Sequence, residues 1–134
     1  MSISSLEFGD IFVYMGKYYV FLACNENTWF MGLILNKQLS ETFLKLYHTS
    51  LAKNKTGLQS QKAFCFSELQ TEELRGRVLH LGKTDYEPPE KLPEKLPITL
   101  CKKDLIEIKK EILKKGSPVP KILIEYISPI NLES

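Results

Sequence analysis

The alternation of apolar and polar positions predicts a strand-rich start to the chain. After an entry turn at residues 6–10, residues 11–14 are apolar and aromatic, and residues 18–24 form a second apolar run across the break Met15-Gly16-Lys17. Two such runs joined by a tight, glycine-containing break predict a β-hairpin. A polar turn at residues 25–27 leads to a third strand over 28–35, where Trp29, Met31, Leu33 and Leu35 alternate with Thr28, Phe30, Gly32 and Ile34. Both alternating sets are largely apolar, so this strand is expected at the centre of the sheet with both faces covered.

The signal weakens from residue 36 to 61. Residues 43–47 fit either a strand or a helical turn, and the polar stretch 51–62, broken by Gly57 and carrying Lys53, Lys55 and Lys62, predicts a mobile surface loop, which is residues 48–62 at its widest. Strand character returns at residues 64–66, a short helical turn is expected over 68–74, and residues 75–81 alternate well enough for another strand. Four prolines then interrupt residues 86–98 in the near-repeat EKLPEKLP, which excludes regular helix or central strand and predicts an extended connector. Over residues 99–115, Leu105, Ile108 and Ile112 recur at helical spacing, and Lys114, Lys115, Gly116 and Pro118 form a stop signal. A final strand is predicted over 121–127, with Ile122, Ile124 and Tyr126 alternating against Leu123, Glu125 and Ile127. Five or six short strands with one helix near the C-terminus predict a mainly β fold, a small curved β-barrel with an appended helix, within a single domain spanning residues 1–134.

Composition narrows the functional classes. Eighteen basic and sixteen acidic residues give a formal charge of +2, too near neutral to indicate nucleic-acid binding by bulk electrostatics. The one clear basic surplus lies over residues 102–115, on the polar face of the expected helix. Cys24, Cys65 and Cys101 lie far apart with no CxxC pair, and they read as reduced thiols, not as a disulfide framework or a zinc site. The glycines form no phosphate-cradling loop, His48 and His80 have no partner at metal-ligand or triad spacing, and no cofactor or metal is expected. No apolar run approaches the roughly 20 residues of a membrane span, and the opening MSISSLEFGD has no basic segment before an apolar core, so the expected location is the cytoplasm without membrane attachment.

Two clusters have chemical potential. Glu68, Glu72 and Glu73 with Arg75 and Arg77 combine carboxylates and guanidinium groups, the pairing that acid/base cleavage of a phosphodiester needs, although a solvated turn would carry the same charges. Tyr18, Tyr19, Trp29 and Phe30 come close if the first three strands pair, giving either a base-stacking surface or core packing.

The order of these elements resembles the MazF/PemK-like family of toxin endoribonucleases. The likeness runs from about Phe8 to Leu113: the entry FGDIFVY, the strand YVFLAC, the strand MGLIL, the turn SELQTEEL, the run GRVLHLGKT, and the helix near the C-terminus. The resemblance implies an SH3-like β-barrel, a metal-independent endoribonuclease acting on single-stranded RNA as a homodimer, and an acidic antitoxin as partner. At the family's functional positions the chain departs. Lys17 and Tyr18 stand where the family has Arg-Pro, and Asn36 and Lys37 where it often has a threonine or serine. Ser67-Glu68 and Gln70 replace its Asp-Gln and Arg, while Leu69 and Thr71 agree. The resemblance thus assigns catalysis to Lys17, Lys37 and Glu68, with Lys17 or Lys37 holding the phosphate and Glu68 moving the 2′-hydroxyl proton. RNA contacts are expected from Tyr18 and Trp29 of the aromatic set, from Asn36, and from Arg75 and Arg77 of the charged cluster. A non-catalytic module that recruits a protein or peptide through the same scaffold is the alternative.

Overall fold

The structure is a computed structural model that describes residues 6–52, 63–67, 72–114 and 119–132, the side chains of 47–52 excepted. Its frame is a six-stranded antiparallel sheet: β1 (Ile11–Tyr14), β2 (Lys17–Cys24), β3 (Trp29–Ile34), β4 (Ala63–Cys65), β5 (Val78–His80) and β6 (Asp85–Tyr86). The strand order is β1-β2-β3-β5-β4, with β6 paired to the other half of β3 beyond β5. The mainly β organisation is present, and β3 is central as the alternation predicts. Among the described residues the strands form an open sheet and do not close into a barrel.

The β1–β2 hairpin turns at Met15 and Gly16, with Tyr14 paired to Lys17. Both central residues have positive φ, 51° and 76°, which is the backbone that matches the twist of the flanking strands. Just upstream, Gly9 sits at φ 93°, donating its N–H to the Phe21 carbonyl, and a Cβ there would overlap the Leu105 side chain. The Gly-Asp entry of the first strand is therefore a packing requirement of the sheet against a helix.

Among the described residues there are three helices where the sequence predicts one. Helix α1 (Lys37–Ala52) occupies the ambiguous stretch that includes 43–47, and it also takes up residues 51 and 52 of the expected loop; residues 53–62 lie outside those described. Helix α2 (Lys102–Leu113) lies inside the predicted span 99–115. Helix α3 (Lys121–Ile127) replaces the predicted final strand. The reason is visible in its burial: Leu123 and Ile127, one helical turn apart, are fully buried, whereas Ile122 and Tyr126 are exposed. An apolar residue at nearly every position satisfied both periodicities, and burial against the sheet selected the helical one.

The sheet has two cores. On one face Ile11, Val20, Leu22, Phe30, Ile34 and Leu79 pack against Ile108 and Ile112 of α2 and Leu123 and Ile127 of α3. On the other, Phe12, Tyr19, Phe21, Trp29 and Met31 pack on each other, with Trp29 meeting the rings of Phe12 and Phe21 edge-on at 6.0 and 5.3 Å. The proline-rich connector runs along the outer edge of β1. Lys95 bridges to Phe12, the Leu96 N–H donates to the Ile11 carbonyl at 2.8 Å, and Lys95 Nζ pairs with Asp10 at 3.2 Å. Buried Asp104, in the first turn of α2, accepts the Ser67 N–H at 3.0 Å and ties the exit of β4 to that helix.

Candidate functional site

An open groove of about 380 Å³ lies where the hairpin, the end of β3 and the start of α1 meet, lined by Gly16, Lys17, Tyr18, residues 33–36, Leu39 and Arg77. Each polar part is positioned by local chemistry. Lys17 follows the hairpin turn and is exposed. Asn36 caps α1, its Oδ1 accepting the Leu39 N–H at 2.7 Å and its carbonyl the Ser40 N–H. That capping bond commits the Asn36 side chain to the fold while aiming the start of α1, with its partial positive charge, at the groove.

Arg77 is held from three sides. Its Nε donates to the Leu35 carbonyl at 2.8 Å, its Nη1 reaches the Glu73 carbonyl at 3.4 Å, and its guanidinium lies 5.2 Å from the centre of the Tyr18 ring. Burial lowers its pKa from the ordinary value, with Tyr18 and Glu73 acting in the opposite direction, and a guanidinium so placed remains a cation near neutral pH. The Leu35 carbonyl also accepts from Ser40 Oγ at 3.2 Å, and Ser40 Oγ accepts the Val78 N–H at 2.9 Å. Ser40 is completely buried, so this one hydroxyl fastens α1 to both β3 and β5. Further along α1, Phe43 meets the His80 ring edge-on at 6.0 Å, and burial pushes the His80 imidazole below its ordinary pKa.

The groove brings together Lys17, Tyr18, Asn36 and Arg77 of the residues singled out in the sequence. It leaves others apart. Lys37 is the exposed first residue of α1 beside Asn36 but is not among the lining residues, and Arg75 is exposed in the turn at 72–76. Trp29 is a correction: it is 1% exposed at the far end of β3, in the aromatic core of the opposite face, and offers no ring to a ligand. The imagined surface of Tyr18, Tyr19, Trp29 and Phe30 is divided, because adjacent strand residues point to opposite faces. Glu68 lies outside the described residues. Ser40 was not singled out; Asn36 in N-cap position marks the helix start, but Leu39 and Leu46 are exposed, so no apolar stripe points to the buried serine.

Among the described residues lining the groove there are two cations and no carboxylate. No group of three or more His, Cys, Asp or Glu among the described residues is arranged to hold a metal ion, and no helix of theirs is long and apolar enough to cross a membrane. No family model, no curated protein and no solved structure matches the chain.

Proposed function

We propose that the groove binds the sugar-phosphate backbone of single-stranded RNA, as in a diverged MazF/PemK-like protein. The observation that carries this reading is the presence in one groove of Lys17 and an Arg77 guanidinium laid over Tyr18. Lys17 supplies a mobile point charge, Arg77 a fixed planar donor, and the start of α1 adds positive potential, a combination suited to phosphate. The family likeness rests on the sequence motifs, and the mainly β organisation is the part of it that the described residues share. Cleavage is the extension of this reading. It requires a group to take the 2′-hydroxyl proton, a role that the resemblance gives to Glu68; the described lining residues include neither carboxylate nor imidazole. Residues 33–35 and Leu39 give the groove an apolar floor, which favours an acidic peptide as the second reading.

The deciding experiment is a fluorescence-anisotropy titration of labelled single-stranded RNA across a salt series. Affinity is expected to fall with salt, with a slope of about −0.7 per phosphate neutralised, and Lys17→Ala and Arg77→Ala should each weaken binding and flatten that slope. Binding that ignores salt, or both variants behaving as wild type, sinks the reading. A gel of the same samples, with Glu68→Ala as control, separates cutting from holding.

A further inference from the structure

On the face of the sheet opposite α2 and α3, three tyrosines stand in a row at the rim of the aromatic core. Tyr14 and Tyr19 have ring centres 6.3 Å apart, and Tyr19 and Tyr86 5.7 Å, inclined at 57° and 75°. Tyr19 is nearly buried between the others, while Tyr14 and Tyr86 are partly exposed at the two ends. Lys83, itself exposed, holds its Nζ 5.2 Å from the centre of the Tyr86 ring. The strand register explains the row: Tyr86 is opposite Trp29, Cys24 is opposite Trp29 on the other side, and all belong to the aromatic face, while exposed Asp85 lines an open pocket with Lys83, Tyr86 and Glu87.

The row begins where the groove ends. Tyr14 is the cross-strand partner of Lys17, so a chain leaving the groove past Lys17 meets Tyr14 after crossing the hairpin. We propose that Tyr14 and Tyr86, braced by Tyr19, form a second subsite in which bases of the same single-stranded RNA stack, with Lys83 leaving the Tyr86 ring to meet a phosphate. This inference rests on the groove holding RNA, and it concerns a different part of the molecule. Stacking fits the geometry because Tyr14 and Tyr86 each sit at one end of the row, partly exposed, with the intervening ring preventing their collapse onto each other. A cation already resting on Tyr86 marks where an exchange of partners costs little, since the ammonium gains a phosphate as it loses the ring.

The test compares a long single-stranded RNA of mixed sequence with a dinucleotide cut from it, using binding titrations of the wild-type chain, Tyr14→Leu, Tyr86→Leu and Arg77→Ala. Leucine keeps an apolar body against the aromatic core, and circular dichroism and the emission of Trp29, the single tryptophan, check that the sheet is intact. Each tyrosine variant is expected to weaken the long RNA roughly tenfold, with an unchanged salt slope and no effect on the dinucleotide. Lys83→Ala should lower the salt slope for the long RNA alone. Wild-type affinity in both tyrosine variants overturns the tyrosine subsite and leaves the groove standing. Loss in the tyrosine variants with Arg77→Ala unaffected leaves the subsite standing and removes the groove. No RNA binding by the wild-type chain overturns both.

Discussion

The two faces of the sheet are both apolar, yet they are built from different chemistry. The face under α2 and α3 is packed mainly with isoleucine, leucine and valine and is covered by helices; the other is packed with aromatic rings that cover each other. Aliphatic side chains have no polar atom to satisfy, so they suit complete burial beneath a helix. Rings with phenolic edges suit a boundary, where one end is dry and the other wet. The contrast teaches where to look for stability and where to look for binding. Substitutions under the helices should change folding, and those along the groove and the tyrosine rim should change ligand affinity with the fold intact.

The largest expected effect tests the first half of that contrast. Ile108→Ala, at a fully buried position on α2, should cost about 3 kcal/mol in chemical denaturation, through lost transfer energy and the cavity left behind. A cost below about 1 kcal/mol would show that α2 is not part of the cooperative core. Ser40→Ala comes next. It removes the hydroxyl that joins Leu35 and Val78 through α1, leaving the Val78 N–H without that acceptor, and should destabilise by about 1–2 kcal/mol. Because α1 shapes the groove, RNA affinity should fall with it; unchanged affinity would detach α1 from the site.

Arg77→Ala is the sharpest test on the binding side. It should weaken RNA about tenfold, in keeping with loss of a charge-assisted contact, while moving the denaturation midpoint less than Ile108→Ala does. The smallest thermodynamic change is a gain: Met15→Asn places a residue that tolerates positive φ at the hairpin turn and should stabilise by roughly 0.5–1 kcal/mol without altering binding. Acidification offers a last comparison. Burial holds the folded pKa of His80 below its ordinary 6.5, so the unfolded chain takes up the proton first. Stability from this group is complete above pH 6.5 and falls as pH drops below that value through the folded pKa. A pH series of melting temperatures, with His80→Gln as reference, should show the slope shrink in the variant.

Much of the sheet was legible in the sequence because the first three strands carry local signals. The hairpin break, the period-two alternation and the doubly apolar third strand fall within a residue of β1, β2 and β3. The helices were harder. Residues 121–127 are apolar in almost every position, so the sequence suited two periodicities and only the packing of Leu123 and Ile127 chose between them. Helix α1 is amphipathic around a buried serine, and its contact with the sheet is a hydrogen-bonded one that no hydrophobic pattern reports. Lys17, Tyr18 and Arg77 were legible as residue types, but their convergence depends on Arg77 crossing from the start of β5 to the Leu35 carbonyl, a long-range contact with no local signature.

The connector beside β1 has a consequence for how the protein behaves at high concentration. A strand at the end of a sheet is a template on which another molecule can add its own, and β1 would be one. Residues 95 and 96 occupy that position themselves, through the Phe12 bridge and the bond to the Ile11 carbonyl. Because Pro93 and Pro97 flank them and lack the N–H that a further ladder would need, the added segment cannot serve as the next template. The chain thus ends its own sheet on that side, and growth by strand addition stops where the prolines begin.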